Sequence, residues 1–196
     1  MSNLFLAPDD ACRCGWAGSA PEFLGYHDRE WCYAVGDDIR LLDKLCLESV
    51  QSGLSWRTIL AKRENFRAAF DGFDFNVMAG YGAAEVERLL ADAGIVRHRG
   101  KIEAVISNAA RAVEMAEREG SLAGFFWSYE PDPAGLPEPQ TRSISPESIA
   151  LSKELKKRGW KFVGPTTAFA FMQAMGLIND RSEEHTSELQ SQPIIS

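Results

Sequence analysis

Apolar residues in this chain recur at steps of three and four, and no stretch alternates convincingly at a step of two. The longest run is Lys101 to Glu119, where Ile102, Val105, Ile106, Ala109, Val113 and Ala116 fall on one helical face and Gly120 supplies a stop. Asp37 or Asp38 can cap an earlier helix with Ile39, Leu42, Leu45, Cys46 and Val50 on its inner side, closed by Gly53. The same pattern predicts helices from Ser55 to about Phe70, from Ala83 to Asp92 before Gly94, and from Thr166 to Met175. Ser145 followed by Pro146 reads as an N-cap with proline in the first turn, opening a helix that ends at Gly159. Ser128 to Ser145 is proline-rich and aperiodic, a loop. These spacings specify an all-α fold, a compact helical bundle.

Eleven Phe and five Trp in a chain of 196 residues suffice for a substantial core. No apolar run is long enough to span a membrane, and Met1 to Asp10 lacks the pattern of a secretion signal, so a cytoplasmic protein with no membrane partner is expected. The four cysteines, Cys12, Cys14, Cys32 and Cys46, suggest reduced thiols or a metal site rather than a disulfide framework. A net charge of −7 argues against a nucleic-acid coat protein, yet a local basic face is enough to hold phosphates.

Arg181 to Ser196 (RSEEHTSELQSQPIIS) breaks with what precedes it. It is similar to a translated sequencing adapter, and is expected to be a non-native tail on a single domain of residues 1–180. The alternative is a genuine polar terminus.

Three constellations carry chemical possibilities. Gly94 and Gly100 bracket a turn between two helices, with Arg97, Arg99 and Lys101 around it; glycine allows positive φ or close backbone approach, and amides at the second helix's start could bind a phosphate. A plain turn with solvated charges is the other reading, as it is for the basic run Lys153, Lys156, Lys157, Arg158 and Lys161. Glu48 lies near the end of an apolar helix, close in sequence to Trp56, with Trp16, Phe23 and Tyr26 available upstream; a carboxylate beside aromatic rings suits a cationic heterocycle. A surface glutamate and a core tryptophan would look the same. Cys14 and His27 are a soft-ligand pair, but structural zinc takes four ligands and two are too few to argue a site alone.

Taken in order, RCGW at 13–16, YHDREW at 26–31, Leu47-Glu48, SGLSW at 52–56, KREN at 62–65 and AGIVRHRGKI at 93–102 resemble DNA-3-methyladenine glycosylase I, a branch of the helix-hairpin-helix DNA glycosylases. LSK at 151–153, LKKRG at 155–159, KFVG at 161–164 and FMQA at 171–174 extend the resemblance over nearly the whole chain.

The resemblance implies a monomeric, monofunctional hydrolase of N-glycosyl bonds that releases 3-methyladenine from alkylated double-stranded DNA, the first step of base-excision repair. By matching position, Glu48 accepts hydrogen bonds from the adenine edge, Tyr26 and Trp56 pack on the base, Phe23 and Trp16 assist, and Leu54 plugs the gap left in the duplex. The hairpin from Gly94 to Lys101 holds the backbone. Cys14 and His27 become half of a structural zinc site formed by the two termini, its other ligands falling beyond Asp180 and so incomplete here. Phe23 stands where the family often has tyrosine, and Cys32 where a glycine is expected. The alternative from another class is a non-catalytic helix-hairpin-helix module that binds DNA or senses damage without cutting.

Overall fold

The computed structural model describes residues 4–182. Residues 183–196, most of the segment expected to be foreign, lie outside the described residues. The chain is mostly helical: α1 Pro21–Arg29, α2 Asp38–Gln51, α3 Trp56–Ala69, α4 Phe75–Met78, α5 Ala83–Ala91, α6 Arg99–Glu119, α7 Leu122–Trp127, α8 Pro146–Lys157 and α9 Pro165–Ala174. One antiparallel hairpin, β1 Leu4–Leu6 against β2 Cys12–Cys14, departs from the all-α expectation. Strands this short offer too few positions for alternation to be legible. The short helices α4 and α7 escaped notice for the same reason.

The ends expected from local chemistry are where they were read. Asp37 caps α2, accepting from the Arg40 amide at 2.7 Å, and Ser55 caps α3 through the Thr58 amide at 3.2 Å. Ser145 and Ser148 exchange capping bonds at the start of α8. Asp38 serves a second helix: its carboxylate accepts from the Leu122 and Ala123 amides at 3.0 and 2.8 Å, fixing the start of α7 on α2.

α2 is the axis of the molecule. It packs against α3, α6, α7 and α9, and Leu41 to Val50 is buried at every position. The expected one-sided helix is therefore enclosed, and only Ile39 among its expected inner residues is exposed. A helix enclosed this way is normally apolar all round. This one carries Asp43, Lys44, Glu48 and Ser49 into the interior. Buried charge costs several kcal/mol unless it is paired, so these residues demand partners.

The remaining elements lock onto this axis. Asn108 of α6, fully buried, donates to the Lys161 carbonyl at 3.0 Å and accepts its amide at 2.8 Å, tying α6 to the α8–α9 connection. The Cys32 and Val35 amides donate to the carbonyls of Ala174 and Met175 at 3.2 and 3.3 Å, so the segment before α2 is strapped to the end of α9. Gly176 makes that strap possible. Its φ is +80°, and a Cβ there would lie 2.6 Å from backbone atoms of Tyr33 and Ala34. Gly176→Ala is expected to cost at least about 2 kcal/mol, read as a lower urea midpoint with an unchanged slope.

Candidate functional site

The charges on α2 find their partners in one place. Lys44 and Glu48 sit one helical turn apart on the same face, with Lys44 Nζ 2.7 Å from Glu48 Oε1. The same ammonium donates to the Tyr26 hydroxyl at 2.7 Å and lies 3.4 Å above the Trp56 ring. Tyr26 and Trp56 are themselves in contact, their ring centroids 5.4 Å apart. Glu48 is thus joined to both expected aromatic residues, through a cation the sequence had not singled out. Burial lowers the pKa of the Lys44 ammonium, with Glu48 opposing the shift, and raises that of the Tyr26 phenol well above its ordinary value.

A cavity of about 30 Å³ opens beside this group, bordered by Tyr26, Asp43, Lys44, Trp56, Arg63 and Met175. Asp43 pairs with Arg67 at 2.6 Å and Arg63 with Glu30 at 3.1 Å. Two buried polar atoms of residues lining it, Asp43 Oδ1 and Trp56 Nε1, have no hydrogen-bond partner among the described residues. Unpartnered buried donors and acceptors are rare in native proteins, so these two are available to a ligand. Glu48 does not border the cavity itself, because Lys44 intervenes.

Trp16 and Phe23, expected against the base, do not border the cavity. Trp16 packs edge-on to Phe23 and Trp31 and tilted to Tyr26, so Trp16 backs the Tyr26 ring and Phe23 packs on Trp16. Phe23 precedes Tyr26 by almost one turn of α1, and the two share a face of which only Tyr26 reaches α2.

Leu54 stands 39% exposed at the tip of the turn between α2 and α3, where Gly53 adopts φ +77°. Arg97 and Arg99 are also exposed, Arg99 pairing with Glu87 at 2.6 Å. Lys101 does not join them. Its ammonium is turned inward and donates to the carbonyls of Val50 and Ser52 at 2.9 and 2.6 Å. Carbonyls at a helix C-terminus lack internal partners, and Lys101, the third residue of the opposing α6, is well placed to satisfy them. The expected phosphate ligand is instead a brace between α6 and the Leu54 turn.

Of the two properties expected of the hairpin glycines, close approach is found at Gly94 and positive φ at neither. Neither Gly94 nor Gly100 has positive φ. A Cβ on Gly94 would lie 2.9 Å from Asp92 Oδ1 and 3.2 Å from Asn65 Cβ, so close approach to α3 is the constraint there. Gly100 lies in the first turn of α6, which begins two residues earlier than expected because the His98 Nδ1 caps it through the Lys101 amide at 3.2 Å. In the second basic run, Arg158 pairs with Glu119 and Glu154, while Lys153, Lys156 and Lys157 are exposed.

Cys14 and His27 do come together. Both are buried, the Cys14 amide points at His27 Nε2 from 3.4 Å, and His27 Nδ1 meets Asp28 at 2.9 Å. A carboxylate behind the ring is how zinc-binding histidines are commonly oriented. Yet no group of three metal-binding side chains exists among the described residues. Arg181 is buried here instead, its guanidinium donating to the carbonyls of His27 and Trp31. The described residues thus bring together two of the four donors a structural zinc site takes.

A family model for methyladenine glycosylase matches residues 16–187. The chain belongs to the methyladenine glycosylase family. DNA-3-methyladenine glycosylase 1 of Escherichia coli strain K12 is 46% identical over 172 residues, spanning 86% of this chain and 92% of that protein. A crystal structure of 3-methyladenine DNA glycosylase I superposes with a TM-score of 0.79 at 45% identity, covering 86% of this chain and 95% of the other. A second, of a substituted 3-methyladenine DNA glycosylase I in complex with 3-methyladenine, gives a TM-score of 0.80 at 34% identity over 87% and 94%. In this methyladenine glycosylase fold the Lys101 brace is expected to matter for stability. Lys101→Met should cost about 1–3 kcal/mol in urea unfolding, with helical circular dichroism retained in the native baseline.

Proposed function

We propose that this protein is a monofunctional DNA glycosylase that hydrolyses the N-glycosidic bond of 3-methyladenine in alkylated DNA, opening base-excision repair. The observation that carries this reading is the site's own occupancy by a cation: an ammonium held between the Glu48 carboxylate, the Tyr26 hydroxyl and the Trp56 ring. A site built for that charge suits adenine methylated at N3, which is positively charged, over the neutral base. The named relatives favour the enzyme over a non-catalytic DNA-binding module.

The chemistry asks little of the protein beyond selection and extrusion. Methylation makes the base a good leaving group, so the glycosidic bond is already weak. The nucleotide must leave the stack, which costs a few kcal/mol. We assign Leu54, exposed at its turn, to fill the vacated space, and the outward α5–α6 hairpin with Arg97 and Arg99 to the phosphates of double-stranded DNA; this is the helix-hairpin-helix element of the proposal. Glu48 accepts from the adenine edge, Trp56 and Tyr26 supply the stacking faces, and the unpartnered Trp56 Nε1 is a further donor in reach of the site. Water then attacks the oxocarbenium-like sugar, and no side chain of this site is assigned to activate it.

We further propose that the protein acts as a monomer in the cytoplasm and that Cys14 and His27 are two ligands of a structural zinc site. Among the described residues no helix is long and apolar enough to cross a membrane.

Glu48→Gln is expected to cut 3-methyladenine release from alkylated duplex by about 100-fold or more, with helical content preserved. Chromatography of the released base is the measurement, and release at the wild-type rate would remove Glu48 from the site. Leu54→Ala should lower duplex affinity and turnover by about tenfold while leaving affinity for the free base unchanged, a split that equilibrium binding to each ligand resolves.

A further inference from the structure

The base pocket is closed by one of its own residues. Lys44 is buried, makes three contacts at once, and leaves a cavity of about 30 Å³. That volume suits one or two water molecules, while pockets for small organic ligands run to about 300 Å³ and more. A two-ring purine does not fit while the ammonium stays.

We propose that Lys44 is a specificity-determining residue of this site: its ammonium is a resident cation that keeps the pocket shut, and a base enters only by taking its place on Glu48, Tyr26 and Trp56. The inference rests on the base-binding role given to that site above. It adds that binding is an exchange of one cation for another.

Each partner of Lys44 is a group a cationic base would use. Glu48 is in the last turn of α2, where the negative end of the helix dipole makes a buried carboxylate costly without a positive neighbour. Either the lysine or a charged base supplies that neighbour. A neutral base displacing Lys44 would leave Glu48 buried and uncompensated, a loss worth several kcal/mol when one member of a buried pair goes. The Trp56 face offers its quadrupole to one cation at a time. Charge discrimination therefore comes from the exchange as much as from contacts to the base.

The displaced ammonium has a destination. The lysine stem is long and flexible. Asp43 Oδ1, an acceptor with no hydrogen-bond partner, lies on the same cavity wall next to Lys44 in sequence, and Glu30 borders the cavity as well. Arg63, the positive group on the same wall, is already engaged by Glu30 and opposes a second positive charge there. Burial has also lowered the pKa of this ammonium, so its hold on the site is weaker than its three contacts alone suggest.

Two measurements decide the matter. In wild-type protein carrying 15N-labelled lysine, saturation with 3,9-dimethyladeninium, which keeps the positive charge the base has while bonded to the sugar, should move the Lys44 Nζ resonance from its protected position and speed its exchange with water. An unmoved resonance with the base bound overturns the proposal. In Lys44→Met, which keeps the side-chain volume and removes the charge, affinity for the same cation should rise about tenfold as the cost of opening disappears. The ligand-free melting temperature should fall, because Glu48 has lost its partner, and the rise on adding base should be larger than in wild type. Equal or weaker binding by a folded Lys44→Met protein also overturns the exchange. Wild-type protein that neither binds the cation nor frees 3-methyladenine from alkylated duplex would defeat the function itself. Base release with an unmoved Lys44 would defeat only this inference.

Discussion

An ion pair inside a helix that has no solvent face governs this molecule. Lys44 and Glu48 lie on α2, whose middle is covered on every side, and neither charge is affordable there alone. Their position obliges the surrounding structure to supply polar and aromatic partners at the very centre of the fold. Tyr26 from α1 and Trp56 from α3 meet that demand, and the cavity among them is the only part of the α2 surroundings where cation, carboxylate and ring faces converge among the described residues. The stability of the core and the chemistry of the site are therefore one problem. A substitution at either charge is felt in both folding and binding.

The second organising feature is how firmly the turn after α2 is held. Lys101 spends its charge on the carbonyls of Val50 and Ser52, so the tip carrying Leu54 is tied directly to the start of α6. Asn65 and Lys62 of α3 reach the carbonyl of Gly94 at 3.3 and 3.0 Å, adding a third attachment. The exposed leucine, the outward arginines and the pocket are thus set on a common frame, which suits a task requiring a nucleotide to be pushed, held and received at once.

Much of this was legible in the residues. The helix starts at Asp37, Ser55 and Ser145 follow from side-chain capping chemistry, which is local, and the long periodic run became α6. Glu48, Tyr26 and Trp56 could be grouped from the resemblance, and they do share one site. Lys44 could not. It reads as an ordinary helical lysine, and its one signal, a spacing of four to Glu48 on an otherwise apolar face, is shared with many solvated pairs. Lys101 failed in the opposite direction, since a basic residue at a hairpin looks like a phosphate ligand until the neighbouring helix end is in view. Phe23 and Trp16 have the right residue type and the right neighbourhood, but Trp16, in the turn before α1, packs on Tyr26, and Phe23 packs on Trp16, away from the cavity.

By itself the sequence determined the helical class, most helix boundaries, the family and the identity of a carboxylate among aromatic rings, because periodicity, caps and motif order are properties of neighbouring residues. Tertiary structure alone decided that α2 is enclosed, that Lys44 occupies the pocket and that Lys101 faces inward. Those outcomes depend on which helices pack against which, and burial is what turns an unremarked lysine into the partner that a buried glutamate cannot do without.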